Sequence, residues 1–215
     1  LRLALLSERL RVWVELNTAY QNELKHSKTG ILLHRISMSF FRRSRVFFLP
    51  VTGEIARAEK LPHGRFAVLG NGCSVPGNSG RGNRLGELRK LVSDKRQAGC
   101  KIFVFSASRV EAWHGLDRIC ELFGKMPGVF IAGFGEFPVH VPEWKELEGR
   151  GRGRWIGTYE EAELAAAYEL ADFGIASFAF DRIGLTEACP LKTRGYLTGG
   201  LRVVAGYRDT VLEEP

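Results

Sequence analysis

The 215 residues are 45% hydrophobic and 26% charged, enough to bury a sizeable core and ordinary for a globular protein. A net charge of +7 favours anionic partners without choosing among nucleotide phosphates, nucleic acid and an acidic membrane face. No apolar run approaches the ~20 residues of a membrane-spanning helix, and no signal peptide is visible.

Val12 to Leu16 reads as a short strand, and Thr18 to His26 as a helix capped by Asn17. Arg42-Arg43-Ser44-Arg45, beside Phe40-Phe41, reads as a solvated charged turn, with a membrane face as the alternative. Val46 to Val51 is a buried strand, Glu54 to Lys60 a helix, and Phe66 to Leu69 a third strand that runs into the turn Gly70-Asn71-Gly72. Residues 74–83 have the composition of a flexible linker. Lys101 to Ser106 is a strand, and Leu116 to Lys125 a helix with Leu116, Ile119, Cys120 and Phe123 on one face. Val129 to Ala132 is the next strand, stopped by Gly133-Phe134-Gly135. The arginine–glycine alternation from Gly149 to Arg154 reads as a mobile loop insertion and is too short for an RNA-binding segment. Arg154 to Gly157 is a strand, Glu160 to Leu170 a helix, and Phe173 to Phe178 a strand. Such alternation predicts a parallel, Rossmann-like sheet with ligands at the carboxyl ends of its strands. Cys73, Cys100, Cys120 and Cys189 are widely spaced without metal-like pairing, so a reduced compartment is the simpler reading.

The most informative stretch is Gly184-Leu185-Thr186-Glu187-Ala188-Cys189-Pro190-Leu191-Lys192-Thr193-Arg194-Gly195-Tyr196-Leu197-Thr198-Gly199-Gly200. It reads as a loop, an acid, a short helix opened by Pro190, and a glycine stop. Leu201 to Ala205 then suits a buried strand. Such a helix offers backbone N–H groups at the mouth of the sheet to a phosphate, and Glu187 beside that mouth suits sugar hydroxyls. This run resembles the donor-site signature of retaining glycosyltransferases of the GT-B fold, the family-4-like group. That signature is two glutamates separated by seven residues. The first falls on Glu187; at the second this chain has Gly195.

The resemblance implies an α/β, GT-B-like fold with Rossmann-like parallel sheets. Residues 1–73 would be the tail of the N-terminal, acceptor-side domain, which Asn71-Gly72 leaves in the manner of the family. A linker and connecting helix would follow over 74–100, and most of the C-terminal nucleotide-sugar-binding domain over 101–215. A complete enzyme of this family is much longer, so the resemblance implies a fragment lacking both ends. In the family an arginine and a lysine after the first strand of this domain grip the donor's pyrophosphate. Arg109 takes the first position, and His114, before Gly115, takes the second. The run Trp113 to Arg118 itself resembles a subgroup that acts in polysaccharide assembly. Glu187 would hold the donor sugar, and the backbone around Cys189, Pro190 and Leu191 would meet the phosphates. Tyr159 would stack on the base, against the alternative that Thr158 merely caps a helix. Arg182 would face donor or acceptor.

The implied reaction moves a sugar from a nucleoside-diphosphate sugar to a glycan or lipid-linked acceptor with retained configuration. It needs no cofactor and no metal, since the chain has no Asp-x-Asp triplet. Expected partners are the donor, the acceptor and a membrane surface, not nucleic acid. The expected location is cytoplasmic, with peripheral attachment at the inner membrane face. Gly195 supports a second reading, a non-catalytic or decayed nucleotide-sugar-binding module of the same fold.

Overall fold

The computed structural model describes residues 11–20, 27–72 and 84–211. Its elements begin with β1 (Trp13–Leu16), α1 (Lys28–Arg43), β2 (Phe47–Pro50), α2 (Gly53–Ala58), α3 (Arg84–Gln97) and β3 (Lys101–Ser106). A single 3-10 turn (Ala112–His114) leads to α4 (Leu116–Gly124), β4 (Val129–Phe134), α5 (Pro142–Gly149), β5 (Gly153–Gly157), α6 (Glu161–Tyr168) and β6 (Phe173–Ile175). After a second 3-10 turn (Phe180–Ile183) come β7 (Glu187–Ala188), α7 (Leu191–Thr198), β8 (Arg202–Val204) and β9 (Arg208–Asp209).

The chain divides into two compact units. The first takes Leu1–Asn71, Ile183–Cys189 and Arg208–Pro215; the second takes Gly72–Arg182 and Pro190–Tyr207. The sequence alone assigns everything after residue 100 to one domain, and two short later segments group instead with the first unit.

In the first unit β1 and β2 pair in parallel, Trp13 opposite Phe47 and Leu16 opposite Pro50. Phe66 to Leu69 runs beside β2 on backbone bonds from Phe48 N–H to Arg65 O, Ala67 N–H to Phe48 O and Leu69 N–H to Pro50 O, without becoming a regular strand. Val46, Phe48, Val51 and Ile55 are buried in this unit. Thr52 caps α2 by accepting the Ile55 N–H at 3.2 Å. The helix expected over Thr18 to His26 lies mostly outside the described residues. Helix α1 was not expected. Ser27 caps it by accepting the Gly30 N–H, yet Met38 is the one residue it buries. Arg42 therefore ends a helix rather than occupying a solvated turn, and its guanidinium donates to the Glu59 carbonyl at 2.6 Å.

The second unit is built on a five-stranded sheet of order β5-β4-β3-β6-β8, parallel throughout. Helices cover both faces, so β3 and β4 are continuous apolar runs rather than alternating ones. On one face Phe103 and Phe105 pack with Leu116, Ile119 and Phe123 of α4 and Trp144 of α5. On the other, Ile102 and Val104 pack with Leu85 and Leu88 of α3, Ala167 and Tyr168 of α6, and Tyr196 of α7. Each fully buried large side chain contributes roughly 1.5–3 kcal/mol.

Three expectations are corrected here. Strand β4 continues through Gly133, which is a packing residue and not a stop: a Cβ there would lie 2.2 Å from the Trp155 ring. Strand β6 ends at Ile175, three residues early. The Gly149–Arg154 stretch is a fixed α5–β5 connection. In it the Arg152 guanidinium donates to the carbonyls of Gly124 (2.6 Å) and Met126 (2.9 Å), and Lys95 Nζ donates to the Gly151 carbonyl at 2.8 Å.

Candidate functional site

From β3 the chain runs one way through β4 and β5 and the other way through β6 and β8. Where successive connections leave in opposite directions, the loops part and a crevice opens beyond the carboxyl ends of the strands. That point lies between β3 and β6. Tyr196 braces it from below: its Oη accepts the Ser106 N–H at 2.9 Å and donates to the Ile175 carbonyl at 3.2 Å, so one phenol ties the ends of both strands. Tyr168 Oη shares a 2.8 Å bond with Ser106 Oγ. Burial raises the pKa of both phenols, Tyr168 to about 12, so they stay neutral hydrogen-bonding groups.

The loop after β3 carries Arg109 and His114, and the two are unlike. Arg109 is 76% exposed, with Glu111 Oε1 at 3.4 Å, an exposed pair that holds it weakly. His114 is buried on the 3-10 turn, where its Nδ1 accepts the Glu111 N–H at 2.8 Å. Its ring stacks on Trp113 with centroids 3.8 Å apart. Burial first, and then the nearby charge of Lys192, lower its pKa to about 3. His114 is therefore a neutral turn-forming residue near pH 7, which corrects its expected part as a cation on the pyrophosphate. Gly115 follows in the left-handed conformation (φ +68°), where a Cβ would meet Ala179 Cβ at 2.9 Å.

Arg182, on the second 3-10 turn, is also committed. Its guanidinium makes a two-pronged pair with Asp117, one arm at 3.0 Å, and donates to the Ala112 carbonyl at 2.9 Å. Arg118 grips Asp181 in the same two-pronged way at 2.7 and 2.9 Å. These guanidiniums hold the carboxyl groups of Asp117 and Asp181 below their ordinary range. In this arrangement Arg182 fastens the loop after β6 to α4 instead of reaching out to a ligand.

Helix α7 begins at Leu191 after Pro190, and no side chain caps it; its first turn holds no acid. Its first turn therefore presents N–H groups that α-helical bonding leaves over. Leu191 is 67% exposed. Lys192, which sequence reasoning passed over, bends back from this turn: its Nζ is buried with no hydrogen-bond partner among the described residues, 5.0 Å from the Phe105 ring centroid and 5.9 Å from that of Trp113. The left-handed stop falls on Gly200 (φ +77°). Inside the helix, a Cβ at Gly195 would touch only the Tyr168 ring edge at 3.4 Å, an ordinary contact. Gly195→Ala is therefore expected to stabilise the protein by about 0.5–1 kcal/mol, read as a melting temperature higher by roughly 2–3 °C. An unchanged or lower melting temperature would mean the backbone there is not free to take a side chain.

Glu187 and Cys189 belong to the first unit. One Glu187 carboxylate oxygen accepts the Glu54 N–H at 3.1 Å, and the other lies 3.7 Å from Arg57 and 3.6 Å from Arg208. Glu54 answers by accepting the N–H groups of Thr186 (2.7 Å) and Glu187 (2.8 Å). Glu187 thus lies at the positive end of α2, where an acid is favoured. Cys189 is buried; its Sγ accepts the Asn71 N–H at 3.0 Å, and its carbonyl accepts from Asn71 Nδ2 at 2.6 Å. Among the described residues Cys100, Cys120 and Cys189 are free thiols, and no cluster of three potential ligands could hold a metal ion.

Tyr159 follows the edge strand β5, packs edge-on against Phe134, and lines a cavity of about 520 Å³ with Glu87, Leu91, Arg154 and Trp155. Thr158 does not cap α6. Glu160 does, in a reciprocal box with Glu163.

No protein-family model and no curated protein matches the chain. Its structure is similar to crystal structures of Anabaena HepE. In the complex with UDP-glucose the TM-score is 0.67 at 17% identity, and in the complex with UDP and glucose it is 0.64 at 18%. Both cover 98% of this chain and 57% of the HepE chain. It is also similar to WaaG, a glycosyltransferase involved in lipopolysaccharide biosynthesis (TM-score 0.59, 16% identity, 90% of this chain and 55% of that one). The chain thus spans little more than half the length of these proteins. At such identities the likeness establishes the fold: α/β with a parallel central sheet, as in GT-B glycosyltransferases.

Proposed function

We propose that this chain is the donor-binding part of a glycosyltransferase of the retaining, family-4-like group, one that moves a sugar from a nucleoside-diphosphate donor to a glycan or lipid-linked acceptor in polysaccharide assembly. The observation that carries this reading is the uncapped start of α7 in a sheet whose β3–β6 switch point has an exposed arginine, Arg109, on its adjoining loop. The departing nucleoside diphosphate builds negative charge, and helix N–H groups with a guanidinium stabilise it without a metal ion or any cofactor. Structures of this fold with UDP and UDP-glucose bound support the donor class.

In this reading Arg109 and the backbone from Cys189 to Leu191 take the phosphates. Glu187 takes sugar hydroxyls in exchange for its loose contacts with Arg57 and Arg208, and Tyr159 lies towards the base. Peripheral attachment at the inner face of a membrane, from the cytoplasmic side, is supported by α1. That helix exposes Leu32, Leu33, Ile36 and Phe40 beside Lys28, Arg35 and Arg43. Gly195, where the family has its second glutamate, favours the other reading, a nucleotide-sugar-binding module without turnover.

Calorimetry with UDP, GDP, ADP and their sugar conjugates tests the donor assignment. One diphosphate is expected to bind, and Glu187→Ala is expected to weaken only its sugar conjugate, by about tenfold or ~1.4 kcal/mol. Absence of binding by all of them to a cooperatively folded protein would end the assignment.

A further inference from the structure

We infer that Lys192 is a second cation for the donor's diphosphate, in addition to Arg109, and that a proton from solvent enters the site with the ligand. This rests on the donor reading above and names a residue and a coupling that the reading does not contain.

Two independent features meet at Lys192. The first is the start of α7, an eight-residue helix with no side-chain cap and no acid in its first turn. The second is the ammonium itself, buried without a hydrogen-bond partner and lying over two aromatic faces. The stem of Lys192 is half-buried, while its nitrogen is wholly enclosed. Ring faces attract a cation but supply none of the acceptors that a buried ammonium loses on leaving water. A group in that condition costs the fold more than its ring contacts return. It does have a use for an anion.

The neighbouring groups leave that part open. From the loop after β3, His114 is neutral, and Arg109 and Glu111 face each other at 3.4 Å. From α4 and the loop after β6, the charges of Asp117, Arg118, Asp181 and Arg182 are spent on one another. Among the described residues no carboxylate offsets the burial of Lys192, which lowers its pKa to about 7 from 10.5. The empty site therefore holds a mixture of amine and ammonium near neutrality. A diphosphate beside the nitrogen restores the charged form, so binding takes up a fraction of a proton. Donor binding then weakens as pH rises through the window above about 7.

The test is titration calorimetry of inorganic pyrophosphate and of whichever of UDP, GDP and ADP binds the parent best, at pH 7.5, in two buffers of different ionisation enthalpy, on the chain and on Lys192→Met and Lys192→Arg. Lys192→Met is expected to bind both ligands at least tenfold more weakly and without Lys192-linked proton uptake. Lys192→Arg, whose guanidinium stays charged, is expected to bind within a few-fold of the parent. It thereby subtracts the proton changes on the ligands' own phosphates. Equal binding by Lys192→Met and the parent would overturn the inference and leave the donor reading standing. Binding of pyrophosphate that depends on Lys192, with no nucleotide bound, would keep the anion site and overturn the donor reading. Failure of both ligands to bind the parent would overturn both. A thermal melt of each variant verifies that it is folded.

Discussion

Gly135→Ala is expected to lower stability by about 3–5 kcal/mol and the melting temperature by roughly 10 °C. Gly135 follows β4 at φ +116°, a backbone region that residues with a Cβ rarely adopt. An added Cβ would stand 1.7 Å from the Ala107 carbonyl oxygen and 3.3 Å from that of Ser108. Both are backbone atoms, so no side chain can swing aside. The strain costs about 1–3 kcal/mol, and moving the backbone of the next loop costs a similar amount. That loop is fixed by Ala107 N–H to Phe134 O at 3.1 Å and Glu136 N–H to Ser108 O at 3.1 Å, and it leads directly into Arg109. The substitution is therefore also expected to weaken diphosphate binding. A fall in melting temperature of less than about 3 °C would show that the strands' ends pack more loosely than described.

The second large effect has the opposite sign. Lys192→Met is expected to raise stability at pH 6 by about 2–4 kcal/mol, and by little at pH 10. Burial depresses the folded-state pKa of Lys192 to about 7, while the unfolded chain keeps the ordinary value of 10.5. Below about pH 7 the residue is protonated in both states, and the full cost of enclosing its charge opposes folding. Between about 7 and 10.5 the unfolded chain binds the extra proton, so stability rises with pH and the cost fades. Loss of the ring contacts offsets ~0.5–2 kcal/mol of the gain. Scanning calorimetry at the two pH values decides it. A variant less stable than the parent at pH 6, or one shifted equally at both values, would show that the ammonium has a stabilising partner. Higher stability together with weaker binding is the pattern of a residue kept for a ligand.

The second unit was legible because its strands announce themselves. Ile102 to Phe105 and Phe130 to Ala132 are uninterrupted apolar runs, and α4 repeats its buried residues at helical spacing. Helix α1 was not legible, since a helix that buries little more than Met38 leaves no apolar stripe to find. Helix α5 hid behind the two prolines that precede and open it, Pro138 and Pro142, with Trp144 and Leu147 as its buried anchors. At the site, the loop of Arg109 and the start of α7 follow from strand, acid, proline and glycine. What the side chains do there does not follow. Arg182 finds Asp117 65 residues away, His114 spends its ring nitrogen on a turn, and Glu187 lies against α2, 133 residues back from it in sequence. A lysine in the first turn of a short helix reads as a solvent-facing charge. Only the position of Phe105 and Trp113 beneath it reveals a buried one.

The two Asp-Arg dipeptides, 117–118 and 181–182, exchange partners: each aspartate takes the arginine of the other pair. Being partly exposed, such pairs contribute little stability, and their effect lies in registration. Because the dipeptides are identical, drift at either one is constrained by the other. Reversing one charge sets two like charges face to face, whereas reversing both members of a pair restores the attraction. In descendants of this sequence, positions 117 and 182 would thus evolve as one character, and 118 and 181 as another. The loop after β6 carries in its own letters a record of what α4 has become.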